Sequence, residues 1–276
     1  MSGTKASTSQ YEIRGSSYRV HSFAGGEPSV LALHGFTGSG LDFGPMADAL
    51  GRAMQCPDLP GHGGTVVDPE AELGIEAAAG DLVRLAQGLG LRRPVLLGYS
   101  MGGRTALTLS RLHPDFAGAL ILIGASPGLH DLDEREERRS ADEAAACELE
   151  SSGAAGFIAR WQELPLLRSQ RRMQPDQWQA FSARRCAADA VGLASSLRTM
   201  GTGSMPPLWD RLGEVSTPTL LITGEEDVRY TAIARDMAGQ MAAAQCRTIA
   251  GAGHSPHLER PAVVAEVVLD FLGGLR

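Results

Sequence analysis

Pro94-Val95-Leu96-Leu97-Gly98-Tyr99-Ser100-Met101-Gly102-Gly103-Arg104 is the stretch that decides the fold. Four residues suited to a buried strand run into Gly98-x-Ser100-x-Gly102, and an Ala/Leu-rich helical pattern, Thr105 to Leu112, follows without a spacer. So short a strand-to-helix turn strains the backbone of its central residue, and only small neighbours at 98, 102 and 103 keep the two elements from colliding. Ser100 is therefore expected at the exposed tip of a nucleophile elbow. The plain alternative is a glycine-rich turn with an incidental serine; the strand before it and the helix after it speak against that.

Upstream, Ser29 to Leu33 is an apolar run of the kind buried on both faces of a sheet. It ends in His34-Gly35-Phe36-Thr37-Gly38, where the glycine lets the Phe36 N–H face a pocket and form an oxyanion hole with the N–H of Met101. Leu41 to Leu50 has helical spacing, Ala53 to Asp58 reads as a strand, and Ile75 to Leu89 as a helix leading into the elbow strand. His62, inside the loop Asp58-Leu59-Pro60-Gly61-His62-Gly63-Gly64, suits a loop hydrogen-bonding role better than that of a base. Further back, Tyr11 to Phe23 supplies one or two edge strands, and residues 1–10 read as a flexible polar tail.

Downstream, Ala117 to Ile123 is another buried strand. From Leu129 to about Met205 the pattern turns helical and charged, and alternation resumes at Thr217 to Thr223, so 129–205 is expected to be a helical cap inserted over the sheet of a single domain spanning 11–276. The cap holds ten arginines against twelve acids, so gross charge does not make it an anion trap; most of those arginines should pair at i,i+3 or i,i+4 on solvated faces. Strand Thr217 to Thr223 leaves through Gly224 into Glu225-Glu226-Asp227, helix Thr231 to Met241 follows, and strand Cys246 to Ile249 leads to Gly251-Ala252-Gly253-His254 before a closing helix, Pro261 to Leu272. Strands alternating with helices give an α/β fold with a mostly parallel sheet.

Serine, acid and histidine thus arrive in the chain order of triads on this architecture, and Ser100, Asp227 and His254 are the candidate catalytic residues. Asp227 is favoured over Glu225 and Glu226 because a few loop residues are needed to turn a carboxylate back toward the histidine. The glycines flanking His254 favour it over His257, and a His254/His257 metal pair lacks a third ligand.

Composition narrows the partners. In 276 residues with 43% hydrophobic content no stretch approaches the ~20 apolar residues of a membrane span, and the polar start lacks a signal-peptide core, so a cytoplasmic protein is expected. A net charge of −7 argues against nucleic acid. Cys56, Cys147, Cys186 and Cys246 are scattered and read as reduced packing thiols. The only lysine, Lys5, lies in the polar start, which removes Schiff-base chemistry and pyridoxal-phosphate enzymes; no cofactor and no metal is expected. Oligomeric state is left open, with a monomer compatible.

Taken together, these strings resemble the α/β-hydrolase superfamily, and the more particular ones resemble one branch of it. Those are Leu33-His34-Gly35-Phe36-Thr37-Gly38, Asp58-Leu59-Pro60-Gly61-His62-Gly63, Gly98 to Arg104, Ser126-Pro127-Gly128-Leu129 followed by Glu134-Arg135-Glu136-Glu137-Arg138, Trp161 near Leu164-Pro165-Leu166, Leu197 to Gly203, and Gly251 to His254. The branch is the 2-succinyl-6-hydroxy-2,4-cyclohexadiene-1-carboxylate synthases of menaquinone biosynthesis, the MenH type. The resemblance implies a carbon–oxygen lyase on a hydrolase scaffold: a ring proton is abstracted from a tri-carboxylate substrate and pyruvate is eliminated. It implies Ser100, activated by His254 and Asp227, as base, and Phe36 and Met101 as oxyanion donors. It implies Arg104, Arg138 and Arg185 as substrate-binding arginines, with Tyr99 and Trp161 lining the pocket. Arg184 matches the third arginine position equally well, and Cys186-Ala187-Ala188 stands where the family often has an asparagine.

Each of these residues has a plainer reading. Arg104 could cap a carbonyl, although a charge so near the serine is costly unless it meets an anion. Arg138 has helical salt-bridge partners at hand, Trp161 could anchor the cap core, and Tyr99 and Met101 could pack around the elbow. Two rivals stand beside the lyase: a serine hydrolase of the same fold acting on a small ester or a carbon–carbon bond, and a non-enzymatic sensor. An intact Ser100, Asp227 and His254 speaks against the sensor.

Overall fold

The computed structural model describes residues 5–275. In chain order the elements are β1 (Ser7–Ile13), β2 (Ser16–Phe23), β3 (Gly26–Leu33), α1 (Gly44–Leu50), β4 (Arg52–Pro57), α2 (Ile75–Gly88), β5 (Val95–Tyr99), α3 (Met101–Leu112) and β6 (Ala119–Ile123). There follow α4 (Leu132–Trp161), α5 (Pro175–Cys186), α6 (Ala190–Met200), β7 (Thr219–Gly224), α7 (Val228–Gln240), β8 (Ala244–Ile249), α8 (Pro256–Glu259) and α9 (Pro261–Gly273). The eight strands form one sheet in the order β1-β2-β4-β3-β5-β6-β7-β8. The pairs β1/β2 and β2/β4 are antiparallel, and every pair from β4/β3 to β7/β8 is parallel. The fold is therefore the α/β-hydrolase architecture read from the sequence.

The central strands β5, β6 and β7 and the second half of β3 are largely apolar because both faces are covered, and successive side chains enter different layers. Leu31, Leu33, Leu96, Leu120, Leu122 and Leu221 join the cluster built with α2 and α3. Their neighbours Val30, Ala32, Val95, Leu97, Ile121, Leu220 and Ile222 join the cluster built with α1 and α9.

The expectation of a flexible tail over residues 1–10 does not hold for Ser7–Gln10. These residues pair with Arg19–Ser22 of β2 as the first part of β1, their backbone bonds made although their side chains stay exposed. Residues 1–4 of that tail lie outside the described residues. Two strands, not one, precede the Gly25-Gly26 turn, and β2 is interior to the sheet, between β1 and β4.

Between β6 and β7 the chain is helical, with α4, α5, α6 and 3-10 turns at Arg168–Arg172 and Trp209–Glu214. The acidic start of this segment works as a cap: Asp131 accepts the N–H groups of Asp133 and Glu134 at the head of α4. Gly153 (φ 71, ψ 167) breaks α4, and residues on both sides of the break pack with Leu193, Ala194 and Leu197 of α6 into a small apolar core of their own. The arginine pairing differs from the local pattern expected. Arg139–Glu136 and Arg138–Asp142 are i,i+3 and i,i+4 pairs, but Arg198 reaches from α6 to Glu143 and Glu150, Arg172 to Glu226, and Arg184 to Asp42. α6 carries no acid of its own, and packing beside α4 brings Glu143 and Glu150 within reach of Arg198.

Candidate active site

Ser100 joins β5 to α3 with φ 50 and ψ −110, a backbone conformation that costs a non-glycine residue about 1–3 kcal/mol and persists only where packing holds it. The packing is close. A Cβ on Gly98 would lie 2.4 Å from the Gly102 carbonyl oxygen, and one on Gly102 would lie 2.1 Å from that of Leu33. The α3 terminus can therefore press against β5 and β3 only with glycine at both positions.

The ends of β7 and β8 bring two side chains to this serine. His254 Nε2 lies 3.2 Å from Ser100 Oγ, and His254 Nδ1 lies 2.6 Å from Asp227 Oδ2. His254 and Asp227 are both buried. The short carboxylate bond fixes the proton on Nδ1 and leaves Nε2 to accept the serine hydroxyl. Asp227 is held in turn as the N-cap of α7, its Oδ1 accepting the Tyr230 N–H. The neighbouring acids face elsewhere: Glu226 pairs with Arg172 at 2.6 Å, and Glu225 accepts the Gly251 N–H. His257 does not reach the serine. It lies with its ring 4.3 Å from that of Tyr99, and burial pushes its pKa down to about 3, keeping it neutral.

On the opposite wall, the loop after β3 is held by two buried neutral imidazoles. The Leu59 N–H donates to His34 Nε2 and the Thr37 N–H to His62 Nε2, while each ring's Nδ1 faces a carbonyl, of Gly35 and Pro60 respectively. His62 is thus a loop support, its pKa lowered by burial to about 3. Phe36 and Met101 flank Ser100 on the cavity wall. Met101 is the first residue of α3, so its N–H has no acceptor within the helix.

Ser100, His254, Tyr99, Trp161, Arg104, Arg138 and Arg185 all line one cavity of about 340 Å³ between the sheet's carboxyl edge and the helical insertion. Its arginines fall into two kinds. Arg138 Nε donates to Asp142 at 2.8 Å, a pair that the helix spacing anticipates. Arg104 and Arg185 are buried, and among the described residues neither has a carboxylate within ion-pair distance. Arg104 Nη2 donates to the Met200 carbonyl at 3.1 Å, its Nε has no acceptor, and burial lowers its pKa to about 10. Arg185 Nε donates to Thr37 Oγ1 at 2.8 Å and its guanidinium lies 4.8 Å over the Phe181 ring, with burial again lowering the pKa. Of the adjacent pair, Arg184 turns to Asp42 at 2.7 Å and does not line this cavity, whereas Arg185 does.

Tyr99 and Trp161 have mixed surroundings. Tyr99 Oη lies 2.5 Å from Ser255 Oγ and burial pushes its pKa up, while Trp161 stacks on Phe157 and meets Phe36 edge-on. Residues not singled out from the sequence also contribute walls: Tyr230, 4.5 Å ring to ring from His254, and Gln170, Thr37 and Asp142. Among the described residues no three His, Cys, Asp or Glu side chains are grouped to hold a metal ion.

Residues 30–267 match the alpha/beta hydrolase family. The chain belongs to the alpha/beta hydrolase family. Within it, this family member is 35% identical over 247 residues to a Bacillus subtilis protein provisionally named 2-succinyl-6-hydroxy-2,4-cyclohexadiene-1-carboxylate synthase, covering 88% of this chain and 90% of that one. The structure of MenH from S. aureus superposes with a TM-score of 0.87 at 29% identity, over 93% of this chain and 98% of the other. A thermophilic esterase from Thermogutta terrifontis, with malate bound, superposes with a TM-score of 0.83 at 28% identity, over 98% and 99% of the two chains. Such relatives are enzymes, and so is this alpha/beta hydrolase. No helix among its described residues is long and apolar enough to cross a membrane.

Proposed function

We propose that this enzyme is a carbon–oxygen lyase of menaquinone biosynthesis, converting 2-succinyl-5-enolpyruvyl-6-hydroxy-3-cyclohexene-1-carboxylate to 2-succinyl-6-hydroxy-2,4-cyclohexadiene-1-carboxylate and pyruvate. The observation that carries this reading is the pair of buried guanidiniums without carboxylate partners, Arg104 and Arg185, in the same cavity as Ser100. A buried cation held only by neutral acceptors is costly unless an anion completes it. A substrate with three carboxylates supplies such anions, and planar arginine forks suit them. The likeness to the Bacillus subtilis and S. aureus proteins supports the same assignment.

In this reading the helical segment between β6 and β7 is a cap that closes the substrate against Ser100. The serine hydroxyl passes its proton to His254 Nε2, with Asp227 stabilising the imidazolium. The Ser100 oxygen then takes the ring proton beside the succinyl ketone. The freed electron pair shifts through the ring alkene and expels the enolpyruvyl oxygen, giving the conjugated diene and the enolate of pyruvate, which takes up a proton. Charge that develops on the ketone oxygen is stabilised by the N–H groups of Phe36 and Met101. Tyr99 and Trp161 bound the ring, and Arg138 adds a third cation at the rim, shared with Asp142. The reaction needs no cofactor, metal or nucleic acid, and the enzyme works in the cytoplasm.

The esterase likeness favours a second reading, in which Ser100 attacks an ester carbonyl and forms an acyl intermediate. One experiment separates the two: pyruvate release and diene absorbance with the cyclohexene substrate, beside p-nitrophenyl acetate hydrolysis. Fast elimination with feeble ester cleavage establishes the lyase; efficient ester cleavage without elimination establishes the hydrolase.

A further inference from the structure

Gln170 belongs to the 3-10 turn Arg168–Arg172 of the helical insertion and is 2% exposed, yet both ends of its amide are partnered. Its Nε2 donates to Ser255 Oγ at 2.8 Å, and its Oε1 accepts from Arg185 Nη1 at 3.3 Å. Arg185 can only donate, so the amide's orientation is fixed by its partner. Ser255 follows His254 in the chain and its hydroxyl meets that of Tyr99, the residue before Ser100. One buried amide thus joins a cavity arginine to the segments carrying the serine and the histidine.

The choice of an amide has a consequence. Every group that orients Arg185 is neutral: Gln170 Oε1, Thr37 Oγ1 and the face of Phe181. The nearby acid Asp42 is paired with Arg184. A glutamate at 170 would fill the same volume and keep both partners, accepting from Arg185 as the amide does and reversing the other bond, so that a Ser255 hydroxyl donates to it while accepting from Tyr99. Beyond that reversal it would differ in cancelling the charge of Arg185. We propose that Gln170 is a positioning residue that sets the charge selectivity of the cavity, aiming the Arg185 fork at an anionic ligand while leaving its positive charge uncancelled; this rests on reading the cavity as a carboxylate site.

Two variants test it, Gln170→Glu for charge at constant shape and Gln170→Leu for loss of aim at constant charge. With the cyclohexene tri-carboxylate, Gln170→Glu raises KM on the order of 100-fold with a much smaller fall in kcat, because a carboxylate now faces the substrate's own. Gln170→Leu raises KM by less than about tenfold, the loss of one neutral-acceptor hydrogen bond. Ester cleavage of p-nitrophenyl acetate, which carries no charge, falls far less in Gln170→Glu than turnover of the tri-carboxylate. Succinate binding, read by calorimetry, keeps this inference apart from the reading of the reaction, since it needs the cation but not the elimination. Wild-type enzyme that binds succinate and releases no pyruvate overturns the lyase and leaves Gln170 to be judged by succinate alone. A Gln170→Glu enzyme with wild-type succinate affinity, a Gln170→Leu enzyme more impaired than Gln170→Glu, or a wild type that does not bind succinate overturns the proposal.

Discussion

Replacing Arg104 by Met should move stability and activity in opposite directions. The guanidinium is 7% exposed, and its pKa falls from 12.5 to about 10 on burial, which corresponds to about 3 kcal/mol of unfavourable charge burial at any pH below that value. The hydrogen bond to the Met200 carbonyl, at 3.1 Å, offsets about 1 kcal/mol of it. A methionine of similar length keeps the apolar packing of the stem, so Arg104→Met should be more stable by about 2 kcal/mol. Activity should fall, because truncating one partner of a buried charge pair costs about 2–5 kcal/mol, or roughly 30-fold to a few thousand-fold in kcat/KM for the tri-carboxylate. Urea denaturation at neutral pH gives the first quantity and pyruvate release the second. A variant that loses stability while keeping its catalytic efficiency would refute the reasoning and make Arg104 a structural residue that caps the α6 terminus.

Ser100→Ala should abolish elimination while calorimetry finds the tri-carboxylate still bound, and a near-wild-type rate would remove the serine from the reaction. Gly102→Ala should fail to fold or lose about 3 kcal/mol or more, since the new methyl would meet the Leu33 carbonyl at 2.1 Å; a thermal midpoint like that of wild type would contradict the close approach at the elbow. His257, with a folded-state pKa of about 3, gives the pH dependence its sign. Below about pH 6.5 the unfolded chain takes up a proton that the folded chain refuses, so stability falls with pH, by about 2 kcal/mol at pH 5 for this imidazole. His257→Phe should lose that much less between pH 8 and pH 5, and equal losses in the two proteins would show that the imidazole does not titrate in this way.

The core strands and the elbow were legible because each signal is local. A strand buried on both faces is an apolar run, and Gly98-x-Ser100-x-Gly102 names its own steric demand. The first part of β1 escapes a sequence reading because Ser7 to Gln10 is polar with every side chain exposed, which leaves no alternation to read; only pairing with β2 makes it a strand. Arg184 and Arg185 could not be separated because adjacent helical residues differ by a rotation of ~100°, and which one faces the cavity depends on how α5 docks. Gln170 gave no signal at all. Its partner Ser255 lies 85 residues away, and an amide becomes meaningful only when the fold closes that distance.

The apolar core that the helical insertion keeps for itself has a consequence for how such proteins change. Ala146, Leu149, Phe157 and Ile158 meet Leu193, Ala194 and Leu197 with no strand residue among them, whereas other residues of the insertion tie it to the body: Met200 and Met205 join the cluster built with α2 and α3, Met173 and Phe181 pack on Leu258, and Ser169, Gln170 and Arg172 bond to Glu259, Ser255 and Glu226. Mutations inside that small core can therefore accumulate with little disturbance to the strands that hold serine, acid and histidine, whereas a transplanted segment must bring its own counterparts of Met173, Phe181, Met200 and Met205. A chimera with an esterase's segment grafted between Ile123 and Thr219 would inherit that esterase's appetite while keeping this chain's proton-transfer apparatus. Diversification of substrates over a fixed set of reacting groups is then a matter of exchanging one part together with its seam.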